Sequence, residues 1–130
     1  MTTFIDALPR EVMVVDDEPD MSLVVKMSLE HAGYRANAFT SPAQALKHFK
    51  LNADRYGLVI SDIRMPEMNG MELVAGIREF DASIPVILMS AFVTASDVDP
   101  GLNVAGLLEK PISREKLVKT VSKYIQITAK

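Results

Sequence analysis

Five polar residues of the 130-residue chain have the side chains needed for metal-assisted chemistry on a phosphoryl group. Asp16, Asp17 and Asp62 supply carboxylates, Ser90 a hydroxyl and Lys110 an ammonium. Crowded carboxylates repel one another unless a cation or raised pKa values compensate. An all-oxygen ligand set suits a hard divalent ion such as Mg²⁺ or Mn²⁺. Beside such an ion a carboxylate can act as a nucleophile and form an aspartyl phosphate. Lys110 would bind the phosphoryl oxygens as a point charge, and Ser90 could donate a hydrogen bond to them.

These residues follow apolar segments of the kind that form strands buried on both faces. The segments are 12–15, 57–61, 85–89 and 107–108, and the polar residues that follow them are Asp16-Asp17, Asp62, Ser90 and Lys110. In an open parallel sheet, ligands bind beyond the carboxyl ends of the strands. We therefore expect the acids, the hydroxyl and the ammonium to meet in one pocket.

Helical patterns alternate with the strands over the whole chain, and a shorter second strand is predicted at 35–39. This alternation implies right-handed crossovers onto a parallel sheet. The fold class predicted is α/β, a flavodoxin-like, doubly wound five-stranded sheet of order 2-1-3-4-5 with helices on both faces. Gly33 is placed to stop the first helix, Thr40 or Ser41 to begin the second and Ser113 to begin the last.

The segment 93–105 is where a fourth helix belongs, but it contains Pro100-Gly101. Proline inside a helix costs about 3 kcal/mol and glycine about 1 kcal/mol. We expect a short, displaced or frayed fourth helix.

The composition limits the class of protein. The chain is 48% hydrophobic and 24% charged, which indicates one folded domain. It has no cysteine, so disulfide frameworks and thiolate metal sites are excluded. The formal net charge of −3 disfavours direct nucleic-acid binding. No apolar stretch approaches the roughly 20 residues of a membrane span, and no signal peptide is evident, so a cytoplasmic location without membrane contact is expected.

Four motifs together resemble the receiver domains of two-component signal transduction systems. They are VVDDEPDM (14–21), SDIRMPEMNGMEL (61–73), Ser90-Ala91 after PVILM, and Lys110-Pro111. Each motif alone is weak, whereas all four in order at strand ends are specific. The resemblance covers residues 11–127 and leaves residues 1–10 as an N-terminal arm.

The resemblance implies a phosphorylation site and a metal site. Asp62 matches the phosphoacceptor and is also a metal ligand. Asp17 matches the direct metal ligand, and Asp16 matches the acid that usually reaches the metal through water. The backbone carbonyl of Arg64 matches a further ligand, and Mg²⁺ or Mn²⁺ is the implied cofactor.

The resemblance also implies a phosphate-binding switch. Ser90 matches the switch hydroxyl, and Ala91 matches the small residue that leaves the phosphoryl group room. Lys110 matches the phosphate-binding lysine, and its bond to Pro111 is typically cis in the family. Leu107 stands where the family often has a Tyr or Phe, so it is a candidate for an atypical switch position.

The function implied is a phosphoacceptor signalling module rather than an enzyme, because it would only assist its own phosphorylation and dephosphorylation. A sensor histidine kinase or a histidine phosphotransfer protein would donate to Asp62. The face built from the predicted fourth helix, fifth strand and fifth helix would then change for an unknown downstream protein. A phosphorylation-dependent dimer is left open. His31 and His48, read as surface or helix-end residues, are not expected to carry phosphate.

Three alternatives accompany this hypothesis. The chain could be a receiver module from a larger hybrid kinase or DNA-binding response regulator. A Mg²⁺-dependent phosphohydrolase with an aspartyl-phosphate intermediate is a distant alternative, since its usual DxDxT motif is replaced by DDEPD. A flavin-binding protein would need a phosphate-cradling first loop rich in Ser, Thr and Gly, whereas this loop is acidic.

Overall fold

The computed structural model describes residues 10–91 and 98–125. Five strands are present: β1 (Glu11–Val15), β2 (Ala36–Phe39), β3 (Tyr56–Asp62), β4 (Val86–Ser90) and β5 (Gly106–Glu109). The described residues also form four α-helices: α1 (Pro19–His31), α2 (Pro42–Asn52), α3 (Gly70–Phe80) and α4 (Arg114–Val121). Short 3₁₀ helices lie at Ala53–Arg55 and Pro100–Leu102. The C-terminal helix that the sequence predicted as the fifth is therefore named α4.

The strands form one parallel sheet in the order β2-β1-β3-β4-β5, which confirms the predicted order. Successive side chains of a strand point to opposite faces of a sheet. Leu58 and Ile60 of β3 thus join α1 and α4 in one apolar cluster, while Val59 joins α2 and α3 in the other. Because both faces are covered, the central strands consist of apolar residues without a polar alternation.

Local sequence signals define the helix ends. Gly33 has a φ of 101°, a left-handed conformation that glycine adopts without strain, and it follows the end of α1. The hydroxyl of Ser41 accepts a hydrogen bond from the Gln44 amide at the start of α2. The hydroxyl of Ser113 accepts one from the Lys116 amide at the start of α4. These three predicted signals are confirmed.

The connection between β4 and β5 differs from a regular helix in its described part. Residues 98–105 contain the 3₁₀ helix Pro100–Leu102, and the rest of the segment predicted for a fourth helix, 93–97, lies outside the described residues. The Asp99 side chain accepts a hydrogen bond from the Gly101 amide, and Asn103 ends the turn with a φ of 55°. The structure therefore replaces at least this part of the helix by a tight turn.

Arg78 of α3 holds this turn in place. Its guanidinium donates hydrogen bonds to the carbonyls of Leu102 (2.8 Å), Asn103 (3.0 Å) and Asp81 (3.2 Å). Burial lowers the pKa of Arg78 from its usual value, while the nearby charge of Asp81 acts in the opposite direction. The position of the turn thus depends on side-chain contacts with α3.

No α-helix within the described ranges has the length and apolar composition needed to cross a bilayer.

Candidate functional site

The sheet brings the three predicted acids together at the carboxyl ends of β1 and β3. Asp16 and Asp17 directly follow β1, and Asp62 is the last residue of β3. The pairing of Val15 with Ser61 sets these ends level with each other. One carboxylate oxygen from each of the three aspartates can be chosen so that all lie within 4.8 Å of one another.

Lys110 joins the three acids from the end of β5, which lies two strands from β3 in the same sheet. It follows β5, and its Nζ lies 3.1 Å from Asp16 Oδ2 and 3.3 Å from Asp62 Oδ2. Burial acts to lower the pKa of Lys110, but hydrogen bonds and charge attraction from Asp16 and Asp62 together outweigh it. The pKa is therefore raised, and the lysine is held as an ammonium between two carboxylates.

Asp16 is the most enclosed member of the site, since its exposed fraction is 0%. Its Oδ1 accepts a hydrogen bond from the Glu18 amide at 3.0 Å, and its Oδ2 accepts one from Lys110 at 3.1 Å. Both oxygens are therefore already engaged. Asp17 is only half-buried, and none of the described residues donates a hydrogen bond to its carboxylate. The two neighbouring aspartates thus differ in burial and in hydrogen bonding.

Asp62 is buried at the centre of the group. Its Oδ1 accepts a hydrogen bond from the Ile63 amide at 2.9 Å, and its backbone carbonyl accepts one from the Ser61 hydroxyl. Burial raises the pKa of the Asp62 carboxyl, and the charge of Asp16 acts in the same direction, while Lys110 opposes both. A carboxylate that burial destabilises gains from any cation or bond that neutralises its charge.

Gly70 allows the loop after Asp62 to pack closely. Its amide donates a hydrogen bond to the carbonyl of Ile63 at 2.7 Å. A Cβ at position 70 would overlap the backbone oxygen of Asp62 and lie 3.0 Å from the Cα of Ile63. The first residue of α3 must therefore lack a side chain for β3 and α3 to approach as they do.

A capping box fixes the start of the same helix. The Asn69 side chain accepts a hydrogen bond from the Glu72 amide, and the Glu72 side chain accepts one from the Asn69 amide. Arg64 lies in the loop between β3 and this cap, two residues after Asp62, with an exposed side chain. Its position is compatible with the carbonyl role that the resemblance implied.

The remaining predicted residues line the β4 and β5 side. Ser90 is buried at the end of β4, and its carbonyl accepts a hydrogen bond from the Lys110 amide at 3.0 Å. Ala91 is exposed directly beside it. The Lys110–Pro111 peptide bond is cis, the isomer that the resemblance implied.

Leu107 lies away from the acids. It is partly buried and packs against the cluster under α2 and α3, together with Val98, Leu102 and Val104. It lines an apolar groove of ≈ 500 Å³ with Val98 and Pro100. An aliphatic side chain thus occupies the position at which the family often has a Tyr or Phe.

The donor set fits a hard divalent cation. Three carboxylates face one ammonium, so two negative charges are left uncompensated, and all candidate ligand atoms are oxygens. Asp17 is the acid best placed to bind an ion directly, because the oxygens of Asp16 and of Asp62 are already engaged by backbone amides and by Lys110. The acidic group could hold a metal ion.

A second polar network, which the sequence did not reveal, lies toward the opposite ends of the strands. The His48 ring is within 2.8 Å of the Tyr56 hydroxyl, which also accepts a hydrogen bond from Asn37. Asn37 donates to Glu11 as well, and Arg55 forms a salt bridge with Glu11 at 3.0 Å. Burial raises the pKa of Tyr56, and the hydrogen bond from Asn37 opposes it.

The interpretation of His48 as a surface residue is therefore wrong, because its ring is half-buried against Tyr56 and Phe39. His31 is exposed at the end of α1, as expected. Its ring contacts with Phe39 and Tyr56 come from two strands, which no local pattern in the sequence indicates, while Asn52, four residues later in α2, contacts its Nδ1 at 3.3 Å.

The fold and the site define a doubly wound α/β domain with an acidic pocket and a lysine at the carboxyl edge of its sheet. Residues 12–122 match the response regulator receiver domain family. The chain belongs to this family, and it is therefore a regulatory signalling module of the two-component type.

Solved structures and curated proteins agree with this assignment. The chemotaxis protein CheY4 of Vibrio cholerae superposes with a TM-score of 0.82 at 26% identity, covering 90% of this chain and 99% of that one. The transcriptional regulatory protein GlrR of Escherichia coli K12 is 31% identical over 123 residues, which cover 93% of this chain. The sensor protein EvgS of the same strain is 32% identical over 119 residues, or 89% of this chain.

The curated relatives are longer than the chain. The matched region is 27% of GlrR and 10% of EvgS. Receiver domains of this family thus occur both in transcriptional regulators and in sensor proteins.

Proposed function

We propose that this receiver domain accepts a phosphoryl group on Asp62 from a phosphohistidine of a sensor histidine kinase or a histidine phosphotransfer protein. The observation that carries the proposal is the position of Lys110, which contacts both Asp16 and Asp62 inside a pocket of three carboxylates. In the transfer, a carboxylate oxygen of Asp62 forms the new bond to phosphorus. The bond from phosphorus to the histidine nitrogen breaks, and the histidine leaves with its electron pair. Water later hydrolyses the acyl phosphate and restores the carboxylate.

The residues around Asp62 have separate tasks in this scheme. The Ile63 amide orients the Asp62 carboxylate through a hydrogen bond of 2.9 Å. Lys110 is close enough to bind phosphoryl oxygens once they are attached to Asp62, because its ammonium is already 3.3 Å from the carboxylate. Asp16 is a positioning residue that holds the ammonium in place from a fully buried position. Ser90 and Ala91 would border the phosphoryl group from the end of β4.

Asp17, Asp62 and the carbonyl of Arg64 would hold Mg²⁺ or Mn²⁺, with Asp16 reaching it through water. When bound, such an ion draws in the phosphate donor and offsets the charge that develops on its oxygens. The raised pKa of the Asp62 carboxyl favours this binding, since a nearby cation relieves the cost of keeping that carboxylate ionised in a buried position.

The exposed apolar side of α1 is suited to receive the phosphohistidine donor. Leu23, Val24 and Met27 are 51%, 57% and 57% exposed, although α1 is packed on the sheet by its other side. The helix begins at Pro19, two residues after Asp17, so a protein bound to this side would reach the mouth of the acidic pocket. Apolar side chains left exposed beside a reactive site are typical of an interaction surface.

We further propose that phosphorylation changes the face formed by the β4–β5 connection, β5 and α4, which a downstream protein reads. Lys110 and Ser90 are joined through their backbones at one end of this face. Leu107 would transmit the change through its packing against Val98 and Val104 rather than through an aromatic ring.

Mass spectrometry tests the acceptor assignment. Incubation with acetyl phosphate and Mg²⁺ should add about 80 Da, the mass of one phosphoryl group. Asp62→Asn should abolish this addition, whereas Asp54→Asn, an exposed aspartate on the 3₁₀ helix before β3, should not. Phosphorylation of Asp62→Asn at the wild-type level would refute the assignment.

Metal titration tests the ligand assignment. Asp17→Ala should weaken Mg²⁺ binding, because it removes a half-buried carboxylate that accepts no hydrogen bond from the described part of the chain. Asp20→Ala, which removes an exposed acid three residues along the chain, is the matched control. Equal Mg²⁺ affinity for Asp17→Ala and the wild-type protein would show that the ion binds elsewhere.

A further inference from the structure

Ser61 is a fully buried polar residue between apolar neighbours in the sheet. It precedes Asp62 in β3, its exposed fraction is 0%, and the residues level with it are Val15 of β1 and Leu88 of β4. A buried hydroxyl destabilises a fold unless a hydrogen bond replaces its contact with water. Ser61 makes such a bond to the backbone carbonyl of Asp62 at 2.8 Å, so its hydroxyl acts on the proposed phosphoacceptor itself.

The peptide group between Asp62 and Ile63 has a hydrogen-bond partner at each end. Its carbonyl accepts from the Ser61 hydroxyl, and its N–H, which belongs to Ile63, donates to Asp62 Oδ1 at 2.9 Å. A peptide group is planar, with its C=O and N–H on opposite sides, so a partner that holds the carbonyl also fixes the direction of the N–H. The Ser61 hydroxyl therefore influences how the Ile63 amide meets the Asp62 carboxylate.

The Ile63 amide is shared between two acceptors. Besides Asp62 Oδ1 it donates to the carbonyl of Met89 in β4 at 3.1 Å. A rotation of the peptide plane would change the balance between these two bonds and turn the carboxylate with it. The bond from Ser61 resists this rotation. It also polarises the peptide group, which strengthens the bonds that the N–H donates.

The peptide group that follows is held from a different element. The Gly70 amide at the start of α3 donates to the carbonyl of Ile63 at 2.7 Å. The loop after Asp62 is thus fixed by α3, whereas the carbonyl of Asp62 is held from within β3 by its neighbour in the chain. Ser61 and Gly70 therefore control two successive peptide groups beside the acidic pocket.

We propose that Ser61 is a positioning residue for phosphoryl transfer, and that it acts through the Asp62–Ile63 peptide group on the orientation of the Asp62 carboxylate. The inference rests on the proposed function, since this orientation matters only if Asp62 is the acceptor. Successive side chains of a strand point to opposite faces, so Ser61 lies on the face of β3 away from the Asp62 side chain. It sets the direction from which a carboxylate oxygen approaches phosphorus without contacting the phosphoryl group.

The rate of phosphorylation by acetyl phosphate at saturating Mg²⁺, followed by mass spectrometry, tests this role. Ser61→Ala should lower the rate constant about two- to tenfold, the range to which the net contribution of one hydrogen bond corresponds. Ser61→Thr keeps a hydroxyl on the same carbon atom and should restore the rate constant toward that of the wild-type protein.

Val59→Ala is the control that separates positioning from packing. Val59 lies on the same face of β3 as Ser61 and is also fully buried. The substitution leaves a cavity in the core, so it should lower the urea midpoint more than Ser61→Ala does. It leaves both partners of the Asp62–Ile63 peptide group in place, and the rate constant should therefore stay close to that of the wild-type protein.

NMR spectroscopy of the unphosphorylated full chain without metal tests the same contact independently of phosphoryl transfer. An amide proton in a stronger hydrogen bond resonates further downfield. The Ile63 amide proton should therefore move upfield in Ser61→Ala and return toward its wild-type position in Ser61→Thr. If the threonine variant does not show a cooperative urea transition, the comparison of Ser61→Ala with Val59→Ala and the Ile63 resonance of Ser61→Ala decide the question.

The outcomes distinguish the role of Ser61 from the acceptor assignment. Labelling that survives Asp62→Asn at the wild-type level would refute the acceptor assignment, and the role of Ser61 with it. Labelling confined to Asp62, with equal rate constants for Ser61→Ala and the wild-type protein, would refute the role of Ser61 alone. Equal losses of rate in Ser61→Ala and Val59→Ala would also overturn it, because they would show that core packing causes the loss. An Ile63 resonance that Ser61→Ala leaves in place would show that the hydroxyl does not act on this peptide group.

Discussion

Gly70→Ala should damage the domain at the peptide that carries the proposed phosphoacceptor. The new Cβ would overlap the carbonyl oxygen of Asp62 and lie 3.2 Å from its carbonyl carbon. These are backbone atoms at the end of a buried strand, so a side-chain rotation cannot relieve the overlap. Overpacking of this kind costs about 1–3 kcal/mol. Replacing glycine by alanine in a helix offsets at most about 1 kcal/mol.

We therefore expect Gly70→Ala to lower the free energy of unfolding by about 1–2 kcal/mol, measured by urea denaturation. A loss of that size lowers the Tm of a domain of this length by about 4–8 °C. Phosphorylation by acetyl phosphate should also slow severalfold, since misplacement of a reacting group by a fraction of an ångström is costly.

Gly76→Ala is a matched control in the same helix. Its new Cβ would lie 2.7 Å from a methyl group of Leu46, which is the end of a half-buried side chain and can rotate away. The gain in helix propensity should offset this contact, so we expect a change within about 0.5 kcal/mol. Equal stabilities of the two variants would refute the reasoning, because they would show that β3 can move away from position 70 without cost.

Two further predictions concern charged residues. Asp62→Asn should stabilise the metal-free protein increasingly as pH rises, because burial raises the pKa of Asp62 in the folded domain. The wild-type domain therefore loses stability as pH passes from the unfolded-state pKa to the raised folded-state pKa. Urea denaturation with a chelator present measures the difference in unfolding free energy between the two proteins, and a difference that stays constant across this pH range would contradict the prediction. Arg78→Met should lower the free energy of unfolding by about 1–3 kcal/mol, because three backbone carbonyls lose the guanidinium that donates hydrogen bonds to them. The amides of Asn103 and Ala105 should then exchange hydrogen faster. Glu79→Gln, a change to the exposed neighbour of Arg78, should leave exchange unaltered, and equal protection in Arg78→Met would show that the turn does not need the arginine.

The fold could be predicted from the sequence because its signals are local. Apolar segments ending in Asp16-Asp17 and Asp62 indicated strands buried on both faces, and alternation with helices then left few possible sheet orders. The helix ends were equally local, since Gly33 and Ser113 act on residues beside them in the chain.

The site was predictable as a group but not as a set of distinct roles. Asp16 and Asp17 are identical neighbours in the sequence, yet one is fully buried and engaged by Glu18 and Lys110 while the other is half-buried. That difference depends on how the chain turns after β1. It also depends on a lysine 94 residues further along the chain.

Long-range contacts explain why the sequence did not predict the position of the turn before β5 or the burial of His48. The Pro100-Gly101 pair indicated an interrupted helix, and the described residues 98–105 hold a 3₁₀ turn there, but the position of this turn depends on Arg78, more than twenty residues earlier. His48 looked like a surface residue because Tyr56 and Phe39, which its ring contacts, belong to two different strands.

The strand order has a consequence for how the domain avoids aggregation. β2 and β5, the outer strands of the described sheet, are also its shortest, with four residues each against five to seven in the inner strands. Long exposed edges act as templates for pairing with other chains, and short edges with polar side chains do not. Glu109 adds an exposed charge to the β5 edge. The apolar central strands, which would aggregate if exposed, thus lie between short edge strands that have few unpaired backbone N–H and C=O groups for another chain to pair with.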